Sequence, residues 1–162
     1  MEPLKLPDSL ISSADVTRLT RELNGLNDFF AGAKTRAAGT AMQLPKISRL
    51  LDELARGNKI NLLKDDEREA LRQNLDRVYK NAPNLHISFA VEPAPKALEK
   101  ILVWLRQNVH PQALLQVGLQ PAIAAGCMLR TTNKVFDMSL RANLQKQSGY
   151  LIQLVKGAVD GN

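Results

Sequence analysis

The hydrophobic residues of this chain keep a helical period as far as Pro83 and an alternating one directly after it. That change of period restricts the fold more than any other feature. Val16, Leu19, Leu23, Leu26, Phe30 and Ala33 follow one another at spacings of three and four, which sets them on one stripe of a helix, either packed in a small bundle or exposed to bind a partner. The stretch "LHISFAV", residues 85–91, alternates instead. Ile87, Phe89 and Val91 point one way, and His86, Ser88 and Ala90 the other, as in a half-buried strand. Helices that precede strands in this way predict an α+β chain.

Local signals predict the elements. Ser12 or Ser13 caps a first helix that begins near Ala14, and Gly32 and Gly39 weaken its continuation. A second helix is predicted over 44–56, with Pro45 in its first turn and Ile47, Leu50, Leu51 and Leu54 facing inward. Gly57 and Asn58 stop it. A third opens at Asp65 or Asp66, carries Glu67 and Glu69 at the positive end of its dipole, and turns Leu71, Leu75, Val78 and Tyr79 inward. Its charges read as a solvated face. Beyond the first strand, Pro95 opens a helix with Leu98, Ile101, Leu102 and Leu105 on one side and Trp104 covering the sheet. Residues 113–119 and 126–132 and the segment "VFDM" read as three more strands, the last two joined by a tight turn at Asn133-Lys134. Asp137 or Ser139 then caps a last helix running to about Lys156, lined by Leu140, Leu144, Leu151 and Leu154. The expected architecture is a helical domain over 1–83 followed by a small α/β sandwich over 84–162, ordered strand-helix-strand-strand-strand-helix.

Composition narrows the function. Lys and Arg exceed Asp and Glu by 6 among 162 residues. The excess is spread out: 14 cations against 12 anions over residues 1–80, and 8 against 4 over 81–162. No nucleic-acid groove is expected from so dispersed a charge with 4% aromatic residues, because such grooves combine clustered cations with stacking rings. A basic α+β module that binds RNA or a ribosomal surface is the alternative that the charge leaves open. One cysteine makes no internal disulfide and no multi-cysteine metal site. No apolar run reaches the ~20 residues that span a bilayer, and the N-terminus does not read as a secretory leader. A chain located in the cytoplasm, without direct membrane insertion, is expected.

The stretch "AAGCMLRTTNKVFDMSLRANL", 124–144, gathers the cysteine and an Asp137-x-Ser139-x-Arg141 spacing, which invites a catalytic reading. A serine nucleophile needs a base, and neither His86 nor His110 is placed beside Ser139 by the sequence. Gly126 fits a close backbone approach, Asp137 and Ser139 fit capping, Arg141 fits either an ion pair with Asp137 or a contact with a partner's carboxylates, and Cys127 fits a buried small hydrophobe. Phosphate-cradling glycine motifs are missing. No catalytic, cofactor or metal residue is therefore expected.

The second half resembles the C-terminal region of the delta subunit of bacterial F-type ATP synthases, whose mitochondrial counterpart is the oligomycin-sensitivity conferring protein. The resemblance rests on Pro121, Ala125-Gly126, the turn at Asn133-Lys134, and Asp137, Ser139 and Arg141, with "GNKINLL" upstream. It spans roughly residues 57–154 and makes the chain look like a divergent member with a shortened N-terminal helical domain. It implies a non-catalytic peripheral-stalk subunit in ATP synthesis and proton transport, held at the cytoplasmic face of the cell membrane. The implied partners are the ATP synthase alpha and b subunits. On that expectation Val16, Leu19, Leu23, Leu26 and Phe30 bind the catalytic head, while Arg141, Leu144, Leu151 and Leu154 help to grip the b subunit.

Overall fold

Ser12 opens the first helix. Its Oγ accepts the Asp15 N–H at 3.3 Å, and the Asp15 carboxylate accepts the Ser12 N–H at 2.9 Å. Each residue satisfies a backbone donor that the helix start leaves free. The computed structural model describes residues 4–34, 45–131, 134–146 and 148–149. The chain is α+β, and it divides into two compact units, Met1–Asn84 with Lys96–Leu114, and Leu85–Pro95 with Leu115–Asn162.

In the first unit, helix α1 (Ser13–Lys34) packs against α3 (Asp65–Asn81). Helix α2 (Arg49–Gly57) begins five residues later than the sequence predicts. Pro45 lies outside it, and Ser48 is the cap, with its Oγ accepting the Leu51 N–H at 3.2 Å. Glu22 of α1 fixes that cap by accepting both the Ser48 backbone N–H and its hydroxyl. A serine that satisfies helix donors outweighs a proline that only tolerates the first turn. Gly57 and Asn58 end the helix, with the Asn58 N–H on Leu54 O at 3.2 Å. The core joins Val16, Leu19, Leu23 and Leu26 to Leu50, Leu51, Leu54, Leu71, Leu75 and Val78, with Leu4, Leu10 and Leu114 added. Ile47 and Tyr79 were expected inward and are exposed. Ile47 precedes α2 altogether.

The charged face of α3 is not uniformly solvated. Arg68 is 1% exposed. On the outer side, Arg72 grips Glu69 with two N–H groups at 2.6 and 2.9 Å, and Gln73 donates a third bond at 3.1 Å. Arg72 foremost, then Gln73, holds the Glu69 carboxyl down at about 2 instead of 4.5. Because the folded value lies below the unfolded one, this pairing favours the fold above pH 4.5 and is lost as pH falls through about 2. A carbon-detected NMR titration should show Glu69 as the late-protonating glutamate of α3, and Arg72→Gln should return it towards 4.5.

Helix α4 (Pro95–Asn108) opens at Pro95 as predicted and buries Leu102 and Leu105. The sequence places it in the sheet domain; in the structure it groups with the helices. Arg106 is the reason. Its guanidinium donates to Pro7 O at 2.8 Å, Leu10 O at 2.6 Å and Ala113 O at 3.3 Å, tying the N-terminal segment to α4. Burial lowers its pKa, and Asp8 at 4.0 Å opposes that shift. Trp104, expected to cover the sheet, is exposed.

The four strands are β1 (Asn84–Phe89), β2 (Leu114–Leu119), β3 (Gly126–Arg130) and β4 (Val135–Ser139), in the order β2-β1-β3-β4. Leu114 N–H reaches Pro83 O at 3.0 Å and Gln120 N–H reaches Phe89 O at 2.8 Å, so β1 and β2 run the same way. Such a pair needs a crossover, and α4 supplies it in chain order. Strand β3 runs antiparallel to both neighbours, with His86 opposite Arg130, Phe89 opposite Cys127, and Gly126 opposite Ser139. Helix α5 (Leu140–Lys146) follows β4 without a loop.

Candidate interaction site

The stretch 121–146 is built by backbone requirements. Pro121–Ile123 forms one 3-10 turn and buries Ile123. The chain reverses there through Ala124 at φ 63 and Gly126 at φ 90. A β-carbon on Gly126 would lie 2.5 Å from Met138 O and 3.1 Å from Ser139 Cα. Both atoms are backbone of the neighbouring strand, so neither moves cheaply. Gly126→Ala is expected to cost about 1–3 kcal/mol, read as a lower urea midpoint. Ala122→Gly on the exposed turn should barely move that midpoint.

Thr131 and Lys134 close the hairpin, with the Thr131 N–H on Lys134 O at 2.8 Å and the Lys134 N–H on Thr131 Oγ1 at 3.0 Å. Lys134 is thus a flanking partner and not the turn centre that the sequence predicts; residue 133 lies outside the described residues. The two capping candidates divide the work. Ser139 Oγ accepts the Ala142 N–H at 3.1 Å, and Asp137 Oδ1 accepts the Ser139 N–H at 2.9 Å. The Leu140 N–H goes back to Ala125 O at 2.8 Å. The bonds from Ser139 are the main reason that the Asp137 pKa is lowered, and Lys146 and Arg141 add longer-range attraction. No Asp137–Arg141 hydrogen bond forms among the described residues, so the ion pair expected there is replaced by the Asp137–Ser139 turn.

The histidines stand apart from this stretch. His86 is level with Arg130, while Ser139 is level with Gly126, four residues along β3, on the order of 13 Å at the usual strand rise. His86 Nε2 meets Ser88 Oγ at 3.2 Å, and His110 Nδ1 accepts the Gln112 N–H at 3.1 Å. Cys127 is half-buried, and burial raises its thiol pKa. Among the described residues no group of three or more His, Cys, Asp or Glu is placed to hold a metal. Two open hollows, about 280 and 460 Å³, lie on the helical unit near Lys59 and Arg49. Neither contains a histidine or a cysteine.

The residues expected to contact partners separate into four groups. Val16, Leu19, Leu23 and Leu26 are buried in the helical core. The expectation that they form a head-binding surface is corrected: their periodicity marks packing against α2 and α3. Phe30 is half-buried beneath the Arg68 guanidinium, 4.3 Å from its ring centre. Arg141 is exposed on α5. Leu144 lies in α5 with its side chain outside the description, and Leu151 and Leu154 lie outside the described residues. What the sequence reading missed is a run of exposed apolar residues: Val135 at 56%, Phe136 at 46%, Met138 at 49% and Leu140 at 50%. The signal was present in "VFDM", which puts Phe136 and Met138 on one face and Val135 beside Asp137 on the other.

No family model matches the chain, and no curated protein matches it. No helix among the described residues is long and apolar enough to cross a membrane.

Proposed function

We propose that the chain is a non-catalytic subunit of the peripheral stalk of an F-type ATP synthase, joining the catalytic head to the membrane-anchored b subunit at the cytoplasmic face of the membrane. The observation that supports this reading is the 121–146 segment. Its turn, positive-φ glycine, hairpin and serine-capped helix follow the order of the segment that resembles the delta subunit. Thr131, Asp137 and Ser139 finish a turn or a cap in it, as suits a part whose task is to hold force and not to react. Resisting rotor torque needs stiff elements and wide interfaces. On this reading the b subunit meets the sheet unit through Arg141 and Leu144 of α5 together with Leu151 and Leu154, while the alpha subunit meets a surface other than the α1 stripe.

The test is recovery of the full chain, tagged, from its own cells under mild detergent. The expected result is enrichment of the alpha and b subunits together, unchanged by nuclease treatment. Recovery without either subunit would overturn the reading. Retention on RNA that falls steeply with salt would favour the basic RNA-binding module instead.

A further inference from the structure

Independently of the stalk reading, we propose that the outer edge of β4 takes up an extended, acidic segment of a partner protein as a fifth strand of the sheet. Strand β4 is the last in the order β2-β1-β3-β4, so one of its edges faces no other strand among the described residues. Which of its backbone groups point there follows from the hairpin. Thr131 and Lys134 share a backbone hydrogen bond across β3 and β4. Antiparallel pairs alternate between bonded and non-bonded, so 129/136 and 127/138 are the bonded pairs of the β3–β4 register. Val135, Asp137 and Ser139 therefore turn their N–H and C=O groups outward. The Ser139 N–H is already satisfied by Asp137 Oδ1. Val135 and Asp137 are left with two donors and two acceptors on the open edge, at the spacing a paired strand requires.

Natural sheets guard such an edge with proline, lysine or a bulge within the strand. Val135–Ser139 contains no proline and no lysine, and its pairing with β3 is one-to-one throughout. Its single charge, Asp137, is folded back onto Ser139. Phe136 and Met138 are exposed on one face and Val135 on the other. A strand laid along this edge covers apolar surface on both sides while completing the ladder, which is the usual logic of strand addition.

Charge chooses the occupant. Arg130, Lys134, Arg141 and Lys146 surround the edge, all exposed, and none forms a side-chain ion pair among the described residues. Along β4 and α5, Asp137 is the single carboxylate set against them. An incoming strand bearing carboxylates neutralises them; a second copy of this chain brings the same cations to the same place. Among the described residues of the sheet unit, a nucleic acid strand finds Phe136 as the one exposed aromatic ring, too little for a stacking platform, and it cannot continue the amide ladder.

The experiment uses the full chain and a labelled peptide of alternating glutamate and valine, followed by fluorescence anisotropy at low and moderate salt. The peptide is expected to bind. Methylation of its alternate backbone nitrogens should weaken binding about tenfold or more, a loss of at least one or two ladder bonds, and lysine in place of glutamate should abolish it. Val135→Pro, which removes an outward N–H and no bond to β3, should weaken the unmodified peptide to a similar extent with the circular dichroism unchanged. Hydrogen exchange supplies a readout that needs no variant: the Val135 and Asp137 amides should exchange fast in the free chain and slow when the peptide is added. The proposal is overturned if those amides are already protected in the free chain, which would mean that a second copy or another part of the chain occupies the edge. It is equally overturned if the methylated or the lysine peptide binds as well as the original, if the peptide does not bind, or if oligothymidine binds and displaces it. None of these arms involves an ATP synthase subunit, so their outcome is separate from that of the co-purification.

Discussion

Replacing Leu19 by aspartate is expected to unfold the helical unit. Leu19 is wholly buried at the middle of the α1 stripe, in the core shared by α1, α2 and α3. Truncation alone, Leu19→Ala, removes its transfer free energy and leaves a cavity, about 3 kcal/mol. A carboxylate adds the cost of an unpaired buried charge, several kcal/mol more after relaxation and partial protonation. The total, about 5 kcal/mol or more, is comparable with the whole stability of a typical domain. Circular dichroism should show loss of cooperative melting for Leu19→Asp and a lowered but cooperative transition for Leu19→Ala. Asn24→Asp, on the exposed side of the same helix, should stay within about 0.5 kcal/mol of the parent. A folded Leu19→Asp protein with an unchanged midpoint would mean that the stripe does not pack inward, and would restore it as a docking surface.

That contrast shows what the sequence could and could not convey. A stripe at spacings of three and four states that one side of a helix is apolar, but it does not state what covers that side. The same holds for β4. "VFDM" reads as a strand, yet its exposure on both faces follows from its edge position, which is a matter of strand order. Elements governed by local chemistry were legible: the Ser12 cap, the stop at Gly57-Asn58, Pro95 at the start of α4, and Ser139 at the start of α5. Those governed by distant partners were not. The start of α2 depends on Glu22, 26 residues away from Ser48. The grouping of α4 depends on Arg106 reaching Pro7 and Leu10, 99 and 96 residues away. No periodicity encodes such bonds, because each is one polar contact between segments that are remote in the chain.

Arg68 is the sharpest case, since its place among the charges of α3 suggests solvent and its surroundings are those of a core residue. Its Nε donates to Asn27 Oδ1 and its Nη1 to Leu62 O, each at 2.7 Å, and Nη2 pairs with Asp65. The guanidinium plane lies over Phe30, 4.3 Å from the ring centre. Arg68→Ala is expected to cost about 3 kcal/mol, because it orphans a part-buried amide oxygen and a part-buried carbonyl and also removes the packing of the buried stem. Arg68→Lys keeps the charge but not the planar fork and should recover less than half of that loss. The other side of the ion pair behaves differently. Asp65 is 54% exposed, so Asp65→Asn should change stability by less than about 1 kcal/mol. Urea denaturation of the three variants checks the order. Equal losses at Arg68 and Asp65 would mean that the ion pair carries the stability. The asymmetry expected here means that the neutral acceptors carry it, with Arg68 serving as the polar hub that ties α1, through Asn27, and the segment before α3, through Leu62, to one side chain.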